Sequence, residues 1–136
     1  MKKTRVAVSG YFDPIHVGHL EYFKYAKKLG THLVVIVNSD HQCSLKKGKS
    51  FMPEKDRLEI VKAIRDVDEA VLSIDEDRTV CKTLEMVNPD IFANGGDRHN
   101  KEIPEAKVCR KCNIKLVDGL GDKIRSSSDL TGLKEK

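Results

Sequence analysis

Tryptophan is absent from this chain of 136 residues, and aromatics make up only 5% of it. Few rings are therefore available for stacking successive bases. The net charge of +4 is a mild excess rather than a dense basic stripe. Together these weigh against a nucleic-acid-binding surface. Long apolar runs are also missing. No window approaches the roughly 18 apolar residues of a membrane span, so no membrane partner is expected. The basic start, Met1 to Arg5, is followed only by Val6-Ala7-Val8, too short for the core of an export signal. A cytoplasmic location is expected, and with it reduced thiols. The four cysteines are Cys43, Cys81, Cys109 and Cys112. Cys109 and Cys112 have CxxC spacing, but they supply half the ligands a structural zinc needs. Neither Cys43 nor Cys81 stands at ligand spacing from a partner. The simpler reading is two thiols on successive helical turns, at least one of them packed. No metal site is assigned, and a small zinc-stabilised binding protein stands as a rival.

A chain of this size makes one domain, residues 1–136, with enough surface buried for one core. Strand and helix signals alternate along it. Arg5–Ser9 is a short β-rich segment. Leu33–Val37 is a continuous β-branched run of the kind covered on both faces. Ala70–Ile74, Ile91–Ala93 and Ile114–Val117 read as further strands. Val17–Leu29 repeats apolar residues near the helical period and stops at Gly30. A helix starting near Pro53 runs toward Asp66. Further helices are expected over Thr79–Val87, Ile103–Cys112 and Ser126–Leu133. The polar segment Ser39–Met52 reads as a loop. The pattern predicts an α/β, Rossmann-like, doubly wound single domain with a mainly parallel five-stranded sheet. Ligands in such sheets sit outside the carboxyl ends of the strands. That rule selects four loops: Gly10–His19, Ser39–Met52, Asn94–Glu102 and Asp118–Ser128.

The first loop reads Gly10-Tyr11-Phe12-Asp13-Pro14-Ile15-His16-Val17-Gly18-His19. Gly10 permits a sharp turn off the strand. Asp13 before Pro14 has the look of an N-cap with a first-turn proline. His16 and His19, three apart, share one face of a helical turn. Beside the free N–H groups of a helix start they make an anion site with two added donors. Gly18 removes a side chain where a nucleotide would approach.

This pattern, Gly-x-Phe-Asp-x-x-His-x-Gly-His, resembles the signature of the cytidylyltransferase-like nucleotidyltransferases, with all six fixed residues in ten present. The resemblance implies that His16 and His19 contact a triphosphate and stabilise charge on the transferring phosphate. It places Gly10, Tyr11, Phe12, Asp13 and Gly18 at the nucleotide. In the second loop Lys46, and after it Lys49, match a lysine that contacts phosphates or the phosphorylated acceptor. Arg65 before Val67-Asp68-Glu69 matches a phosphate-contacting arginine. Arg57 is either substrate-binding or a structural ion-pair residue. Gly95 and Asp97 match a Gly-Gly-Asp segment near base and ribose. Ser126, Ser127 and Ser128 match a serine-rich phosphate-binding helix start, from which Arg125 departs by standing beside the serines.

The implied reaction is transfer of a nucleotidyl unit to a phosphorylated alcohol, polyol or sugar, with release of pyrophosphate and Mg²⁺ as companion of the triphosphate. Arg65 before the Val-Asp-Glu turn resembles CTP-using members. Val37-Asn38-Ser39-Asp40 and Gly95-Gly96-Asp97 resemble the adenylyltransferase domain of heptose-phosphate enzymes. The reading leans to CTP, with ATP as the alternative and a catalytically silent regulatory module as a third. A homodimer is expected from the resemblance.

Overall fold

The computed structural model of the chain describes residues 3–93 and 104–117. Its elements alternate as the sequence pattern requires. They are β1 (Arg5–Gly10), α1 (Val17–Lys27), β2 (His32–Val37), α2 (Asp40–Lys47), α3 (Glu54–Lys62), β3 (Glu69–Leu72), α4 (Cys81–Val87), β4 (Ile91–Ala93), α5 (Glu105–Lys111) and β5 (Lys115–Val117). The five strands lie in the order β3-β2-β1-β4-β5. All four ladders are parallel, with Ala7 opposite Val34 on one side and Phe92 on the other. This is the expected α/β, Rossmann-like, doubly wound sheet.

Alternation along each strand splits the core in two. Val6, Val8, Leu33, Val35 and Val37 face α1 and α3, where Phe23, Ala26 and Val61 close the layer. Ala7, Ile36 and Phe92 face the other way, against Val80, Leu84, Ala106, Val108 and Cys109 of the α4–α5 layer. With both faces covered, β1 and β2 can be continuous apolar runs. Phe23 is fully buried. A ring in such a closed layer is worth about 3–5 kcal/mol against alanine.

Polar contacts pin the amino-terminal edge of the sheet. Asp68 accepts from the Leu33 N–H at 2.8 Å and pairs with Lys27 at 2.9 Å, while Glu69 meets His32 at 3.2 Å.

One segment differs from expectation. Asp40–Lys47, inside the stretch read as a loop, is helix α2. A capping box starts it: the Gln42 N–H donates to Ser39 Oγ at 3.2 Å, and the Ser39 N–H donates to Gln42 Oε1 at 3.0 Å. Gln42 is fully buried, and its amide nitrogen donates to the carbonyls of Asp77 and Thr79. Together with the fully buried Cys43, those bonds hold the helix to the sheet end. Gly48, with φ of 94°, ends the helix.

Cys109 is packed in the α4–α5 layer and Cys112 flanks it. Burial, and then the neighbouring Glu105 carboxylate, push the Cys109 thiol up to about 11. It is an inert packing group at neutral pH. Among the described residues no cluster of three metal-ligating side chains occurs, and no helix is long and apolar enough to cross a membrane.

Candidate active site

The first loop leaves the carboxyl end of β1, the strand beside which the direction of winding reverses. Tyr22 of α1 donates its hydroxyl to the Ala93 carbonyl at 2.8 Å, which ties the helix after β1 to the end of β4. The crevice between these two strand ends is where doubly wound sheets bind nucleotides.

Two expectations for this loop need correcting. Asp13 does not cap α1. The cap is His16, in extended conformation, and the helix begins at Val17. Gly10 is also not the residue with the unusual backbone. Phe12 takes that role, at φ of 51°. Gly10 is needed for space instead, since a Cβ there would come within 2.7 Å of the Phe12 ring. The Phe12 ring is buried, edge-on to Phe23 at 5.4 Å and to His19 at 5.0 Å. Its side chain therefore supports the site from below rather than touching a ligand.

The histidines cap each other's helix start. His16 Nδ1 accepts from the Gly18 N–H at 3.0 Å, and His19 Nδ1 accepts from the His16 N–H at 3.0 Å. The rings lie 4.0 Å apart, tilted by 38°. A backbone N–H can only donate, so each Nδ1 must carry a lone pair. A neutral ring then holds its proton on Nε2, on the far side from the helix start. Neither Nε2 bonds to a described residue. Burial, followed by the neighbouring His16, lowers the His19 pKa from 6.5 to about 4, so this ring is neutral at physiological pH. The site thus presents two Nε2–H donors side by side. The Gly18 N–H is spent on the cap and is not among the free donors of the helix start.

Asp13 reaches across to the segment between α2 and α3. Its carboxylate accepts from the Phe51 N–H at 2.7 Å and the Met52 N–H at 2.6 Å. Lys46 is brought to the same loop, its ammonium 4.4 Å from the centroid of the Tyr11 ring. Lys49 is exposed on the segment that follows α2.

Arg57 is a structural brace and not a substrate contact. It is 1% exposed. Its Nε donates to the Met52 carbonyl at 2.9 Å, and Nη1 to the carbonyls of Tyr11 and Asn38 at 2.8 and 2.7 Å. Nη2 meets Asp40 at 2.7 Å. Burial works to raise the Asp40 carboxyl pKa, but hydrogen bonds from Ser50 and Arg57 outweigh it and hold it below the usual range. One guanidinium thus fastens the first loop, the end of β2, α2 and the α2–α3 segment together.

Arg65 is also displaced from its expected role. It follows α3 and lies three residues before Asp68, whose N–H bonds the Leu33 carbonyl at the start of β2. That is the amino-terminal edge of the sheet. The six-residue strand β2 separates it from the rim, about 17–20 Å at the usual rise. A side chain there cannot reach a phosphate held by His16 and His19 of the same chain. Gly95, Asp97, Arg125, Ser126, Ser127 and Ser128 lie outside the described residues, as does the expected terminal helix.

Residues 7–130 match the protein family described as cytidylyltransferase-like. An FAD synthase of Ferroglobus placidus is 43% identical over 115 residues, covering 85% of this chain and 72% of that protein. An FAD synthase of Aciduliprofundum boonei is 38% identical over 132 residues, covering 97% and 87%. Among solved structures, the lipopolysaccharide core biosynthesis protein of Thermoplasma volcanium superposes with a TM-score of 0.72 at 32% identity, covering 86% of this chain and 96% of that one. With the match running from β1 past β5 and the paired imidazoles at the exit of β1, this chain belongs to the cytidylyltransferase-like family and is a nucleotidyltransferase.

Proposed function

We propose that the chain is an adenylyltransferase that joins the AMP unit of ATP to FMN, forming FAD and releasing pyrophosphate. The name shared by relatives such as those of Ferroglobus and Aciduliprofundum supports ATP over the CTP toward which the sequence leaned. FMN ends in a phosphorylated polyol chain, so it falls within the expected acceptor class.

The observation that carries the chemistry is the reciprocal cap of His16 and His19, which leaves two Nε2–H donors side by side. In the proposed step a phosphate oxygen of FMN attacks the α-phosphorus of ATP in line. A new P–O bond forms, the bond from Pα to the bridging oxygen breaks, and pyrophosphate departs with the electron pair. An ionised phosphate is already a nucleophile, so no general base is required. Catalysis is then positioning plus stabilisation of charge on the α- and β-phosphate oxygens. His16 and His19 donate to those oxygens, and Lys46 adds a positive charge beside them. Magnesium enters as part of the MgATP substrate. Asp13 is engaged with two backbone N–H groups, so the nucleotide's own oxygens and water would carry the ion.

The test is to incubate the protein with each nucleoside triphosphate, Mg²⁺, and either FMN or a panel of polyol and sugar phosphates. FAD is read by chromatography and pyrophosphate by a coupled assay. FAD and pyrophosphate should form one to one from ATP and FMN. Turnover of CTP with a polyol phosphate, and none of ATP with FMN, would overturn the proposal. Silence across the panel would favour a regulatory nucleotide-binding module.

A further inference from the structure

Resting on the flavin reading above, we infer that Phe51 is the platform on which the flat ring system of the acceptor stacks. It would make Phe51 a specificity-determining residue for an aromatic acceptor over a plain polyol phosphate. Phe51 is 74% exposed, the most exposed of the large apolar side chains in the described residues. Its main chain is held nonetheless. Asp13 accepts from the N–H groups of Phe51 and Met52, and Arg57 holds the Met52 carbonyl. An aromatic side chain left open on a fixed backbone presents its face with little ordering cost on binding.

Position selects the ligand. The nucleotide belongs in the crevice between the ends of β1 and β4. Phe51 follows β2 and α2, on the opposite flank of the first loop, and Asp13 ties it to that loop three residues before His16. It therefore stands on the flank of the first loop away from that crevice, the side left to the acceptor. Lys49 precedes it in the same connection, is exposed, and suits the acceptor's phosphate. A flavin carries its ring system away from that phosphate on a polyol chain, so its ring must meet a group outside the phosphate cluster.

The experiment uses the full chain and the F51A, F51L and F51W variants. FMN binding is followed by quenching of flavin emission, which stacking on an aromatic ring produces. Steady-state constants are measured for FMN and ATP separately. F51A and F51L should weaken FMN binding and raise its KM about tenfold or more, as expected for a lost stacking platform. They should leave the KM for ATP and kcat at saturating FMN within about twofold, and F51W should restore binding and quenching. Unchanged FMN affinity in F51A, or a loss that falls on ATP instead, overturns the inference while FAD formation by the wild type keeps the functional reading. A wild-type protein that neither binds FMN nor makes FAD overturns both.

Discussion

Replacing Arg57 with methionine separates a brace from a binding group. The substitution keeps length and apolar character and removes all four hydrogen bonds of the guanidinium. The carbonyls of Tyr11, Asn38 and Met52 then lose a charged donor each. Hydrogen bonds to charged groups contribute about 1.5–3 kcal/mol apiece, but they do not add when they share one donor. The Asp40 arm counts for less, because that side chain is 44% exposed and water can replace the pair. Leaving a buried acceptor unpaired costs about 1–3 kcal/mol, and with three carbonyls sharing one lost donor a total of about 3–5 kcal/mol is expected for R57M. Set against a total stability of about 5–15 kcal/mol, the loss is a large fraction. For a chain of this size it lowers Tm by about 10–20 °C. R57K, with one compact donor group in place of the fork, should lose roughly half as much. Thermal and urea unfolding read both variants, and substrate KM is measured well below the melting range. An R57M protein that melts within about 3 °C of wild type but shows a raised acceptor KM would refute the brace and return Arg57 to the substrate.

H16A and H19A should each lower kcat about 100-fold or more with the fold intact, as expected for lost transition-state donors; wild-type turnover in both would remove the histidines from the chemistry. Because His19 has its pKa lowered to about 4, the unfolded chain takes up that proton first as pH falls from 6.5. The contribution of His19 to stability is therefore unchanged above pH 6.5 and declines from there toward pH 4, seen as a falling denaturation midpoint. The acid limb of kcat/KM due to His19, which reports the free enzyme, should likewise lie near pH 4, and a limb near 6.5 that H19A abolishes would contradict the capped, neutral ring. R65A should leave kcat and both KM values within about twofold, given its distance from the rim; a tenfold loss of kcat would show that the far edge of the sheet takes part.

The fold was legible because its strongest signals are periodic. The β-branched run at 33–37 and the helix signals between the strands admit few arrangements once crossovers are short and right-handed. Helix α2 was missed because Asp40–Lys47 lacks an apolar stripe and is held by the amide of Gln42. The signal was present, since Ser39 and Gln42 have capping-box spacing. The histidine pair was found by motif, but its tautomer was not. Histidine is an unusual N-cap, and only the geometry shows which nitrogen faces the backbone. Arg57 stands four residues before Val61, which faces the core, and that spacing already set its side chain inward. Arg65 could have been placed by topology, because the chain leaving a crossover helix returns to the amino-terminal edge of the sheet before the next strand.

The contact chain from Phe23 through Phe12 to His19 has a consequence for engineering this enzyme. A close-packed interior transmits displacement instead of absorbing it. Swapping the ring at position 23 for another bulky apolar group would tilt the aromatic above it, and that tilt would arrive at the imidazole edge. Thermostability screens that treat this layer as silent filling will therefore select, unawares, on turnover.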